Sequence, residues 1–123
     1  MEKFKFVIAD DAIFMRTVLK KIISDINNYE VVDEAATGYE AIDKAKKYQP
    51  DVMTLDITMP GMDGIKAIKG ILEVSPNTKI IMVSAMGQKG MVVDAIKSGA
   101  RDFIVKPFDQ YKVLESIKNV LSL

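Results

Sequence analysis

The sequence predicts an α/β protein, a doubly wound parallel sheet of five strands with helices on both faces. Two observations carry this. Five short apolar runs alternate with five stretches of helical period, and βα units of this length pack as parallel strands joined by right-handed crossovers. Three of the runs are nearly continuous in Val, Ile, Leu, Met and Phe, as strands covered on both faces are.

The first strand is expected at "KFKFVIA" (3–9). In the helix that follows, Phe14, Val18, Ile22 and Ile26 recur every four residues, with Met15, Leu19 and Ile23 widening the apolar stripe. Arg16, Thr17, Lys20, Lys21 and Ser24 fall on the other side. "YEVVDEA" (29–35) alternates more than the other runs, which suits an edge strand. Thr37-Gly38-Tyr39-Glu40 is a capping box that opens the second helix, and Pro50 bounds it. "DVMTL" (51–55) is the third strand, and a helix over about 64–73 ends before Pro76. "KIIMVS" (79–84) is the fourth strand. The next helix, about 88–98, closes on Gly99, which suits a left-handed C-terminal cap. "DFIVK" (102–106) is the fifth strand. Asp109 then caps a last helix that turns Val113, Leu114, Ile117, Val120 and Leu121 inward. With no linker, repeat or low-complexity stretch, residues 1–123 are expected to form one domain with no output domain.

Composition removes whole classes of function. Seventeen basic and 17 acidic side chains balance, which argues against a nucleic-acid or membrane-surface binder held by bulk charge. No apolar run approaches the roughly 18 residues of a membrane span, and no signal peptide is visible; a cytoplasmic location is expected. The chain has no Cys and no His. Thiolate and imidazole metal sites, disulfides and Cys or His nucleophiles are therefore excluded, leaving a hard cation with oxygen ligands.

In open parallel sheets, ligands bind beyond the carboxyl ends of the strands. There the sequence places Asp10 and Asp11, then Asp56, then Ser84, then Lys106. Each has an ordinary reading alone: Asp11 as a helix cap, Asp56 as a turn cap, Ser84 as a turn residue, Lys106 as a solvated lysine. Together they are three carboxylates, a hydroxyl and an ammonium on four strand ends, a set suited to a divalent cation and a phosphoryl group. Two adjacent unit charges about 4 Å apart repel by roughly 4 kcal/mol at an effective dielectric near 20, and a bound cation would offset that. In "MPGMDG", Pro60, Gly61 and Gly64 favour a sharp turn beside Asp56, and Asp63 can cap the next helix.

"DD" at 10–11, "LDITMPGMDG" around Asp56, "SA" at 84–85 and "KPF" at 106–108 together resemble the receiver domain of bacterial response regulators, over essentially the whole chain. The likeness is greatest to the single-domain chemotaxis members of that family. It implies the flavodoxin-like (βα)5 fold with strand order 2-1-3-4-5 and a cis Lys106-Pro107 bond. It also implies the following roles. Asp56 is the phosphoacceptor. Mg²⁺, or Mn²⁺ in its place, is held by Asp11, Asp56 and the Thr58 backbone carbonyl, with Asp10 on a ligand water. Lys106 pairs with the phosphoryl oxygens and Ser84 donates its hydroxyl to them. Phe103 stands at an aromatic switch position, often Tyr in the family, that turns inward as Ser84 moves. Thr58 and Met86 occupy positions that tune dephosphorylation, and neither carries an acid or amide to position water.

The same resemblance implies a phosphoacceptor switch, not an enzyme in the usual sense, beyond its own phosphoryl transfer and slow autodephosphorylation. Its expected partners are a sensor histidine kinase, the flagellar motor switch protein and a dedicated phosphatase, with no nucleic acid or membrane, and the chain is expected to be a monomer. Output is expected through the fourth helix, fifth strand and fifth helix. Six basic residues against four acidic ones from residue 88 onward do not identify a partner by charge. Gly87 and Gly90 flank the start of the fourth helix, which fits an element able to shift. A phosphorelay shuttle to a histidine phosphotransferase and a partner-binding pseudo-receiver stay open as alternatives. A dehalogenase-type phosphatase would need an acid where Thr58 stands, and a flavodoxin's phosphate would be repelled by "DDAIF".

Overall fold

Strands and helices alternate along the described residues, 3–122 of this computed structural model. The strands are β1 (Phe4–Ala9), β2 (Tyr29–Ala35), β3 (Val52–Leu55), β4 (Lys79–Ser84) and β5 (Asp102–Val105). The helices are α1 (Ile13–Ser24), α2 (Gly38–Tyr48), α3 (Gly64–Val74), α4 (Lys89–Ser98) and α5 (Gln110–Leu121). Met1, Glu2 and Leu123, which the expected span of 1–123 takes in, lie outside the described residues.

All four pairings are parallel, in the order β2-β1-β3-β4-β5. This is the flavodoxin-like order. The chain reverses its winding between β1 and β3, and Ala9 pairs with Leu55 there. The next residues, Asp10 and Asp56, therefore leave neighbouring strands side by side at the switch point where such sheets bind ligands.

Each sheet face has its own core. On one, Leu19 and Ile23 of α1 and Val113, Ile117 and Val120 of α5 cover Phe6, Ile8, Ile81 and Ile104. On the other, α2, α3 and α4 contribute Ala41, Ala45, Ala67, Ile68, Ile71 and Ala95 against Val7, Met53, Leu55, Ile80 and Met82. The buried residues of α2 are Gly38, Ala41 and Ala45, small enough to let that helix lie close to the sheet.

The helix ends follow the local signals. Thr37 Oγ1 accepts from Glu40 N at 3.1 Å, and Glu40 reaches back to Ala36 N at 3.1 Å, one residue earlier than a reciprocal box requires. Asp63 caps α3 through Lys66 N and Asp109 caps α5 through Lys112 N, each at 2.9 Å. Gly99 takes φ +120° at the end of α4, a backbone region that side chains resist.

The α1 expectation needs correcting. Phe14 is 73% exposed, not part of the stripe, and Ile26 lies beyond the helix. A strict repeat of four advances about 40° per step on a helix turning 100° per residue. The stripe therefore drifts off the core, and Leu19 and Ile23 are the residues that bury. Asp11 does not cap α1 either; Ala12 is the N-cap residue and makes no side-chain cap bond.

Candidate functional site

Asp10 is only 1% exposed, Asp56 6% and Ser84 1%, while Asp11 faces solvent. The adjacent acids thus diverge, one into the fold and one outward. Burial of Asp10 is matched by partners at every polar atom. Its N–H donates to the Ala35 carbonyl at 2.9 Å, and its carbonyl accepts from Arg16 Nη1 at 2.7 Å. Its Oδ1 accepts from Ala12 N at 2.9 Å and its Oδ2 from Lys106 Nζ at 2.9 Å.

Lys106 bridges the two buried acids, reaching Asp56 Oδ2 at 3.3 Å as well. Its position follows β5, which lays Val105 opposite Ser84, and Lys106 N donates to the Ser84 carbonyl at 2.8 Å. The Lys106-Pro107 bond is cis, as expected. Asp56 is held from the other side by the turn behind it. Thr58 N donates to its Oδ1 at 3.3 Å, and Gly64 N donates to the Ile57 carbonyl at 2.7 Å. Gly64 is dictated by close approach, because a side chain there would collide with the Asp56 carbonyl.

Burial lifts the Asp56 carboxyl above its usual range; the Lys106 charge pulls against that and the Asp10 charge adds to it. Burial likewise disfavours the Lys106 ammonium, but the Asp10 hydrogen bond and the charges of Asp56 and Asp10 outweigh it, so the amine is held above its usual value. Three carboxylates against one ammonium leave a formal charge of about −2, the complement of a divalent ion.

One carboxylate oxygen each from Asp10, Asp11 and Asp56 lie within 4.8 Å of one another. Octahedral Mg²⁺ at about 2.1 Å from its ligands sets their oxygens roughly 3 to 4.2 Å apart, so these donors fit such an ion with small adjustment. The oxygen-only set favours Mg²⁺ or Mn²⁺ over softer metals.

The remaining expected residues are close by. Ser84 Oγ accepts from Met86 N at 3.2 Å, which leaves its own proton to donate. Thr58 and Met86 touch each other, Oγ1 to Sδ at 3.3 Å. Phe103 pairs with Met82 in register and packs, half-buried, into the α2–α3–α4 core. Since Met82 and Ser84 share one face of β4, Phe103 sits diagonally across from Ser84.

Two residues went unread in the sequence. Arg16, placed away from the apolar stripe with the lysines, folds back onto the Asp10 carbonyl, and Glu34 holds its Nε at 3.0 Å. The available signal was an arginine in the first turn of a helix that starts directly after paired acids.

A five-stranded parallel sheet with acids and a lysine gathered at its carboxyl edge is the arrangement of a receiver domain. The chain belongs to the response regulator receiver family, whose model, described as "Response regulator receiver domain", matches residues 6–118. Within that family it is similar to chemotaxis proteins named CheY. It is 56% identical to the one from Listeria monocytogenes over 114 residues, covering 93% of this chain and 95% of that one. Against CheY of Thermotoga maritima the identity is 54% over 116 residues, covering 94% and 96%. Among solved structures, a CheX-CheY-BeF3-Mg complex from Borrelia burgdorferi superposes with a TM-score of 0.94 at 40% identity, covering 99% of this chain and 92% of that one. The protein is thus a receiver domain of the CheY type, a two-component signalling switch and not a classical enzyme. No helix among the described residues is long and apolar enough to cross a membrane.

Proposed function

We propose that the protein is a phosphorylation-activated chemotaxis regulator whose phosphoacceptor is Asp56. The observation that carries this reading is the Lys106 ammonium, 2.9 Å from Asp10 and 3.3 Å from Asp56, which holds the nucleophile and lies within reach of any group bonded to it. An Asp56 oxygen attacks the phosphorus of a kinase phosphohistidine. The new P–O bond forms as the P–N bond breaks, and the imidazole leaves with the bonding pair and regains a proton. Such a loose transfer needs positioning and positive charge more than a base, which accords with a site lacking histidine. Held by Asp11, Asp56 and the Thr58 carbonyl, with Asp10 on a ligand water, Mg²⁺ would supply further positive charge to the phosphoryl oxygens. Ser84 then donates its hydroxyl to the phosphoryl group, and Phe103 follows it inward, passing the change to the face of α4, β5 and α5.

That the relatives are chemotaxis proteins favours a sensor histidine kinase upstream and the flagellar motor switch downstream over a phosphorelay shuttle. The Borrelia complex is of CheY with CheX, which supports a CheX-like protein, in the place of a dedicated phosphatase, as a further partner. Residues 1–123 act as one cytoplasmic domain in this reading. The test is intact mass after incubation with acetyl phosphate, with and without Mg²⁺. A single phosphoryl increment that needs Mg²⁺ and is lost in Asp56→Asn is expected. No increment in the unaltered protein, together with no response to beryllofluoride, would leave a pseudo-receiver that signals by binding alone.

A further inference from the structure

We propose that Arg16, held by Glu34, is a positioning residue for the acidic site, fixing the peptide after Asp10 and with it the aim of the Asp10 and Asp11 carboxylates. The inference rests on the reading of Asp10, Asp11 and Asp56 as cation ligands.

The ladders of β1 with its neighbours end at Ala9, so the Asp10 carbonyl lies past the last strand pairing. Nor does a side-chain cap secure the start of α1. The donor that Asp10's carbonyl does find is Arg16 Nη1, reaching back from the first turn of α1 at 2.7 Å. This carbonyl belongs to the peptide joining Asp10 to Asp11. Holding it fixes ψ of Asp10 and φ of Asp11, the two torsions that set the direction of one side chain relative to the other. Arg16 is itself immobilised by Glu34 on β2, whose Oε1 accepts from Nε at 3.0 Å while Lys20 approaches Oε2 at 3.7 Å. The guanidinium is mostly shielded, with its side chain 16% exposed. A planar fork can serve two acceptors in fixed directions, whereas a lysine ammonium is a single mobile donor point. Glu34 also offsets a positive charge that would otherwise oppose a cation nearby.

An electrostatic role gives the opposite sign from a positioning role, and a purely structural one gives no change in a variant that remains folded. Removing the charge in Arg16→Met makes the site more negative, so without positioning Mg²⁺ should bind as tightly or more tightly. With positioning lost, binding weakens. The experiment is a calorimetric or NMR titration of the full chain with Mg²⁺ alone, on the unaltered protein, Arg16→Met and Arg16→Lys, each confirmed folded at the temperature used. Both variants are expected to bind about tenfold more weakly, the scale seen when a group that orients a metal ligand is lost. Arg16→Lys keeps the charge and decides the matter if Arg16→Met does not fold. Unchanged affinity in Arg16→Lys, or unchanged or tighter binding in Arg16→Met, would overturn the inference. No Mg²⁺ binding by the unaltered protein would instead overturn the reading of the site, and this inference with it.

Discussion

Thr58 Oγ1 donates to Met86 Sδ across 3.3 Å and so ties the loop after β3 to the loop after β4. The first loop carries Asp56 at its start and the second carries Ser84, so the contact spans the rim of the candidate phosphorylation site. Neither side chain can orient an attacking water as a carboxylate or amide would. In the proposed reading, the pair stands beside the phosphoryl group and obstructs the approach of water. Met86→Ala should therefore shorten the phosphoryl lifetime roughly three- to tenfold, as about 1 kcal/mol of barrier is worth about fivefold in rate. Decay of the phosphorylated mass in excess Mg²⁺ measures it. A lifetime unchanged or lengthened would mean that water reaches the phosphoryl group by another side.

The adjacent acids at the end of β1 turn out to be managed by Lys106 when no cation is bound. Asp11 faces water, where repulsion is screened, and Asp10 and Asp56 share one ammonium. Opposite effects on metal-free stability follow. Lys106→Met leaves two buried carboxylates without their cation and should cost roughly 2–3 kcal/mol, with Mg²⁺ restoring much of the loss. Asp56→Asn removes the desolvated carboxylate that burial has made costly to ionise, and should raise metal-free stability by on the order of 1 kcal/mol. Urea unfolding with and without Mg²⁺ reads both. If Asp56→Asn proved less stable than the unaltered protein without metal, the Lys106 bridge would outweigh the cost of burying this acid.

Acid sensitivity should arise partly away from this site, at Asp33. Lys44 donates to its carboxylate at 2.8 Å and Tyr48 Oη at 3.0 Å. The Lys44 hydrogen bond, against a smaller effect of burial, holds the Asp33 carboxyl below its usual value of 3.8. A folded-state value depressed in this way stabilises the fold above the unfolded value, and that contribution is lost as pH falls from 3.8 through the folded value. Asp33→Asn should thus be less stable at neutral pH. The gap to the unaltered protein should close on acidification below that point. Denaturant midpoints across pH 3 to 7 would check it, and a gap that stayed constant would assign the effect to packing instead of charge.

The parts of this fold legible in the sequence are those set by local chemistry. Thr37, Asp63 and Asp109 cap helices because each side chain reaches an amide three residues on. The strand-end acids and Lys106 converge because parallel winding places every carboxyl end on one edge. Phe14 departs from the expected stripe because counting by fours follows a line that leaves the core within two turns. Arg16 is illegible for a different reason. Its side chain is long enough to leave the face its Cα occupies, and its target is a backbone carbonyl, which has no residue-type signature. The divergence of Asp10 and Asp11 was hidden likewise, since it depends on the peptide orientation between them.

Two glycines at the starts of α3 and α4 separate what the site requires from what the sequence merely allows. Gly64 lies against the Asp56 carbonyl with no room for a side chain. Gly64→Ala must push that segment away and should cost about 1–3 kcal/mol, while reducing Mg²⁺-dependent phosphorylation, because Asp56 moves with it. Gly90 sits in the first turn of α4, and a Cβ there would meet nothing within 4 Å. The α4 N-terminus is otherwise weakly held, with no side-chain cap at Gln88 and only Ala95 buried in the whole helix. Gly90→Ala should accordingly stabilise the protein by about 0.5–1 kcal/mol, the helix preference of Ala over Gly, and slow amide exchange in the first turn of α4. Opposite signs for these two substitutions in thermal unfolding are the expected result. A destabilising Gly90→Ala would mean that α4 leaves helical geometry at residue 90 in the state populated in solution, which would make that turn a moving part of the switch.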